Sequence, residues 1–225
     1  MEWNKNISLT DIISILALVA TFVAILLMLI QRHDLSRPFV CIRTNSSETC
    51  TLLSNLGLDI KSHAIDLSCI GNNVAQNICL EAYFCMSHKI MYDDTIAINR
   101  GFCEFKKDNC AICFSLHPIK IGFSIINGNE TVNLANDLVG HILGIAILGY
   151  DSIKMAIKNN DSNFYSPNII ISIVYEDVLG KHYHKYFMIA SEFCIIQNDN
   201  YTFRLNSRII SKKTFNRMLK EDNRI

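Results

Sequence analysis

Residues 169–189 read IIISIVYEDVLGKHYHKYFMI. Two runs rich in β-branched and aromatic residues, Ile169 to Tyr175 and His182 to Ile189, flank Glu176-Asp-Val-Leu-Gly-Lys181, which is the pattern of an antiparallel hairpin. Gly180 supplies the positive φ that closes a turn, Asp177 bonds turn amides, and Tyr175 and Tyr183 pack across the two strands. A second hairpin follows from Phe102-Cys-Glu-Phe and Cys110-Ala-Ile-Cys-Phe on either side of Lys106-Lys-Asp-Asn109. From Pro38 onward the same grammar predicts strands near 38–43, 50–56, 63–70, 78–87, 94–98, 101–105, 110–116, 120–126, 168–176, 182–190, 193–197 and 201–206. The expected fold is mainly β: a β-sandwich-like domain with a few short helices, spanning 36–225.

The strand rhythm breaks at 130–160. Leu138 to Leu148 is apolar with embedded Gly140 and Gly144, short for a membrane span, and reads as a buried strand or a helix packed on a sheet. Asp151 is expected to cap a short helix through Ser-Ile-Lys-Met-Ala-Ile-Lys-Asn, and Ser211 another through Lys-Lys-Thr-Phe-Asn-Arg-Met-Leu-Lys-Glu.

Ahead of the β-rich body, residues 1–35 form an anchor and hinge. Ile12 to Ile30 runs without a charge, with Ser14 and Thr21 its only polar residues. At about 1.5 Å of rise per residue this segment spans roughly the hydrocarbon thickness of a bilayer, so it reads as a transmembrane helix. The run ends in Gln31-Arg32-His33-Asp34, which lacks the small-x-small site of a cleaved signal peptide. The expected partner of residues 12–30 is therefore the lipid bilayer, crossed once.

Lys5 precedes the helix, whereas Arg32, Arg37 and Arg43 follow it, a bias that favours a cytoplasmic body on a cell membrane. Nine cysteines, an odd number, suit a reducing compartment in which thiols stay unpaired. Five glycosylation-type triplets, at Asn6, Asn45, Asn129, Asn160 and Asn200, point the other way only in a secretory lumen, and several arise by chance among 22 asparagines. Together with 34 isoleucines, those asparagines suggest an A/T-rich genome.

The order of features carries a resemblance. A transmembrane helix and hinge, then Ser36-Arg37-Pro38-Phe39, Leu53-Ser-Asn-Leu-Gly57 leading to Ala64-Ile-Asp-Leu67, and Ile173-Val-Tyr-Glu-Asp-Val-Leu-Gly-Lys-His-Tyr183 resemble a group of uncharacterised bacterial single-pass membrane proteins. The resemblance implies a β-sandwich after the anchor. It brings no activity with it.

For chemistry, Cys103, Cys110, Cys113 and His117 offer three thiols and an imidazole, the donor set of a tetrahedral zinc site. Against zinc stands strand alternation: on a continuous strand Cys110 and Cys113 face opposite ways, and the thiols then serve as small core hydrophobes. His182 and His184 share one strand face, where they bind metal or meet solvent. Cys194 with one of these histidines could make a Cys-His hydrolase pair, but nine cysteines and seven histidines offer such pairs in any chain, and no phosphate loop or nucleophile elbow is present.

Lysines plus arginines number 21, as do aspartates plus glutamates, so no broad basic footprint marks the chain as a nucleic-acid binder. Charge is local instead. Arg204, Arg208, Lys212, Lys213, Arg217, Lys220 and Arg224 outweigh Glu221 and Asp222 at the C-terminal end, and a basic helix there suits anionic headgroups. The functional expectation is a membrane-anchored, non-enzymatic binding or assembly module that meets a protein partner or itself, with a zinc-dependent protein as the alternative.

Overall fold

A computed structural model describes residues 9–35, 37–44, 65–87, 90, 92, 94, 96–107, 110–161, 165–196 and 200–221. The expected strand at 50–56 and the Leu53–Gly57 motif lie outside the described residues. The chain divides into two compact units, residues 1–37 and 38–225.

The first unit is helix α1, Leu9–Leu35. Its segment Thr10–Arg32 is long and apolar enough to cross a membrane, and its apolar stretch is nowhere buried. The two hydroxyls inside it are satisfied by the helix itself: Ser14 Oγ donates to the Thr10 carbonyl and Thr21 Oγ1 to the Ala17 carbonyl, both at 2.8 Å. No polar group on those side chains would then be left bare in hydrocarbon.

The second unit is mainly β. Its described elements are β1 (Phe39–Thr44), β2 (Ile65–Ile70), β3 (Ala75–Cys85), β4 (Ile96–Asn99), β5 (Phe102–Lys107), β6 (Cys110–Ser115), β7 (Ile119–Ile126), β8 (Thr131–Asn133), α2 (Val139–Lys158), β9 (Asn168–Glu176), β10 (His182–Ile196), β11 (Asn200–Ile209) and α3 (Lys212–Glu221). They form three antiparallel sheets: a central one in the order β11-β10-β9-β3-β7, and two three-stranded ones, β1-β2-β8 and β4-β5-β6.

Period-2 alternation decides what the central sheet buries. On β9, Ile169, Ile171, Ile173 and Tyr175 enter the main core with Phe187 and Ile189 of β10 and Leu80, Ala82 and Phe84 of β3. Ile170, Tyr186, Met188 and Cys85 face the other side and join Phe215 of α3 in a second, smaller cluster. The hairpin between β9 and β10 closes as its sequence requires. Gly180 adopts φ +76, and Asp177 Oδ1 accepts the backbone N–H groups of Leu179 and Lys181, each at 2.9 Å. Tyr175 and Tyr183 stand opposite in register with their rings stacked 5.2 Å apart. The β5–β6 hairpin also pairs as expected, Phe102 opposite Ser115 through Lys107 opposite Cys110.

Besides the short strand β8, which the sequence reading lacks, two elements depart from it. Residues 139–158 form one helix in place of an apolar segment followed by a separate short helix, so Asp151 lies buried mid-helix and not at a helix N-terminus. Its glycines are contact points instead of breaks. A Cβ on Gly140 would stand 2.6 Å from the Ser115 carbonyl oxygen, and one on Gly144 2.7 Å from the Phe84 ring. At 20 residues the helix is long and apolar enough to cross a membrane, yet about two thirds of its apolar stretch is buried inside the body. The second departure is β10, which runs unbroken through 190–193, held by β11 along its second half.

Candidate functional site

The proposed zinc ligands lie around the β5–β6 hairpin. Register sets Cys103 opposite Phe114 and Cys113 opposite Glu104, so adjacent pairs project to opposite faces. Cys103 is fully buried, and burial, then the nearby Cys113, pushes its thiol up to about 12. Cys113 is exposed. Cys110 opens β6 opposite Lys107, at the far end of the hairpin from His117. His117 is exposed just after β6, its ring edge-on to Phe102 at 5.1 Å and seated over Gly101, where a Cβ would collide with it. Among the described residues no three His, Cys, Asp or Glu side chains converge as a metal site.

A different histidine sits in the core. His141, on the first turn of α2, is fully buried and stacks on Phe84 with ring centroids 5.8 Å apart and planes 8° from parallel. Its Nε2 donates to the His117 carbonyl at 3.1 Å, while Nδ1 has no hydrogen-bond partner among the described residues. Burial holds its pKa down to about 4 against the pull of neighbouring backbone carbonyls, so the ring is neutral at ordinary pH.

The richest polar group lies on the outer face of the central sheet, where Glu81, Ser172 and Tyr186 stand side by side in register on β3, β9 and β10. Glu81 accepts from Tyr83 at 2.7 Å and pairs with Lys120 of β7 at 2.6 Å. The Lys120 ammonium, then the Tyr83 hydroxyl, hold the Glu81 carboxyl below its usual range. Burial first, then Glu81, raises Tyr83 to about 12. Ser172 Oγ meets His184 Nε2 at 2.7 Å, and His184 Nδ1 meets the Tyr186 hydroxyl at 3.2 Å. Burial, then the Lys212 ammonium, lowers the His184 pKa.

A serine hydroxyl bonded to imidazole beside a carboxylate has the components of an activated nucleophile. Its setting argues otherwise. Ser172 lies mid-strand in β9, paired on both sides, so the adjacent amides are committed to the ladders and none is free for an oxyanion. The group therefore joins four strands and is bordered by α3. His182 is separate, its Nδ1 3.1 Å from Glu176, which also accepts from Asn77 at 2.9 Å. His182 and His184 share the outer face of β10, as their spacing predicts, but no linear pattern points to Ser172 or Glu81, because only the cross-strand register brings them to His184.

Helix α3 caps this face. Ser211 Oγ accepts the Thr214 N–H at 3.1 Å, the N-cap expected from sequence. Phe215 is buried, 4.8 Å from the Tyr186 ring and 5.9 Å from Tyr83, with Met218 and Leu219 packed beside it. Turned the other way are Lys213, Arg217 and Lys220, all exposed.

No protein-family model, curated protein or solved structure matches the chain.

Proposed function

We propose that this protein is a membrane-anchored, non-enzymatic binding or assembly module: one crossing by α1, then a β-sandwich-like body in the cytoplasm, as in the bacterial single-pass proteins it resembles. The observation that carries the reading is α1 itself, an unburied apolar helix whose Ser14 and Thr21 hydroxyls are both turned back onto its own carbonyls. A soluble helix of this composition would bury a face in a core, as α2 does. The body supplies a sheet edge for recognition at β7, an outer strand of the central sheet, whereas the other outer strand, β11, already meets β1 where Ser207 bonds Thr44 and Ile42. The backbone amides beside its best catalytic candidate, Ser172 with His184, are held in the ladders on either side of β9, which favours binding over turnover.

Alkaline carbonate extraction tests the anchor. The full chain should stay in the pellet, and should move to the supernatant when Leu18, Phe22 and Ile25 are changed together to Lys. Release of the unmodified chain by carbonate would sink the reading. Sidedness is read by a membrane-impermeant maleimide on intact cells: Cys79 and Cys113, both exposed, should label only after lysis.

A further inference from the structure

We infer that the outward face of α3 is a docking surface for an anionic lipid bilayer, the same membrane in which α1 is anchored; the inference rests on the anchor proposed above. At roughly 100° per residue, Lys213, Lys220 and Arg217 fall on one stripe, opposite Phe215, Met218 and Leu219. The apolar stripe is already spent on the sheet, where Phe215 is buried among Tyr83, Tyr186 and Met188. This fixes the helix rotation, so the basic stripe cannot turn inward. Strand β11 adds Arg204 and Arg208, both exposed and in register with Glu192 and Met188; Arg208 reaches the Met188 sulfur at 3.8 Å, which places it on the face that α3 covers.

Lys212 and Lys213 also stand in the first turn of α3, where positive charge opposes the helix dipole and slightly destabilises an isolated helix. A basic first turn of that kind is relieved by an external anion. Among the described residues the stripe's own carboxylate is Glu221, 3.8 Å from Arg217 with both side chains well exposed, a pair too screened to neutralise it. The occupant is argued from charge and from covalent order. The body starts at Pro38, three residues after α1 ends at Leu35, so a bilayer is held at high local concentration next to it. Each basic side chain near an anionic surface strengthens the contact by about fivefold. A free polyanion such as RNA matches the same charge but gains nothing from the tether.

The test uses the full chain in nanodiscs of phosphatidylcholine alone or with about a third phosphatidylglycerol, which carries no amine. Lysine acetylation is followed by mass spectrometry. Lys213 and Lys220 should react at least fivefold more slowly in the anionic discs, while exposed Lys154 of α2 reacts equally in both. Protection should vanish at high salt and in Arg217→Glu, a change on the stripe away from Phe215 that leaves the sheet contact intact. Equal rates in both discs, with the chain retained in each, overturn the docking and leave the anchor standing. A chain that washes out of both discs overturns anchor and docking together. Protection by an added RNA oligonucleotide in neutral discs, without protection by phosphatidylglycerol, assigns the surface to nucleic acid and overturns the lipid.

Discussion

Cys103 and Cys113 occupy facing strands of one hairpin yet point away from each other, Cys103 into the core beside Phe114 and Cys113 outward beside Glu104. Burial raises the Cys103 thiol to about 12, which leaves almost no thiolate at neutral pH, and its sulfur is inaccessible as well. Under reducing, native conditions a maleimide should therefore modify Cys113 and Cys79 within minutes and Cys103 only after denaturation. Peptide mapping checks this. Equal labelling of Cys103 and Cys113 in the folded chain would mean that the register of β5 and β6 is wrong.

His141 gives the body an acid limb. Its folded pKa of about 4 lies below the unfolded value near 6.5, so the unfolded chain takes up the proton first as pH falls. Stability from this group is complete above about pH 6.5, declines as pH drops through the window down to about 4, and amounts to about 3 kcal/mol in total. Denaturant unfolding at a series of pH values between 7 and 4 reads the slope. His141→Phe keeps a ring against Phe84 and removes the titration; the variant should lose the extra acid sensitivity even if it is less stable at pH 7.

Gly140 and Gly122 make a matched pair of tests for the seat of α2. A methyl at Gly140 meets the Ser115 carbonyl oxygen of the backbone at 2.6 Å, which cannot swing aside, whereas at Gly122 the nearest atom is 3.9 Å away. Gly140→Ala should cost about 1–3 kcal/mol despite the better helix propensity of alanine, and Gly122→Ala should fall within about 0.5 kcal/mol of the parent. Thermal melts in one detergent compare them. A stabilised Gly140→Ala would show that α2 does not approach β6 this closely.

Asp177 holds the turn between β9 and β10 by accepting two backbone amides and the Tyr183 hydroxyl, the last at 2.8 Å, while itself buried. Asp177→Ala strips all three and should lower stability by about 2–4 kcal/mol; Tyr183→Phe removes one and should cost about 1–2 kcal/mol. Chemical unfolding of the two variants gives the ratio. Near-equal losses would place the weight of the turn elsewhere than on Asp177.

Local chemistry was legible where it acts within a few residues. The turn at Asp177 to Gly180, the two hairpins, the Ser211 cap and the apolar run of α1 all follow from spacing and residue type. For α2 the sequence left strand and packed helix both open and did not show that one helix runs on past Gly149, because Gly140, Gly144 and Gly149, poor helix formers in isolation, let the helix approach Ser115, Phe84 and Phe193 in the fold. Strand β10 was cut in two because Ala190-Ser191-Glu192 carries little β propensity by itself; pairing with Asn206, Leu205 and Arg204 of β11 overrides it. Glu81, Ser172 and His184 were out of reach of any linear pattern, since they meet only when three strands are in register.

The pairing of β3 with β9 also sets an order of events during synthesis. Tyr83 pairs with Ile170, so the inner edge of β3 waits for roughly ninety further residues to leave the ribosome, about 5–20 s at ordinary elongation rates. An apolar α1 is by then long since available for insertion. If α1 inserts as proposed, the nascent body would hang from the membrane with β3 paired to β7 and with β9, β10 and β11 still to come, leaving an open strand edge that invites neighbouring nascent chains. Slowing translation between residues 85 and 168 should lengthen that exposure and raise the fraction of newly made protein captured by chaperones.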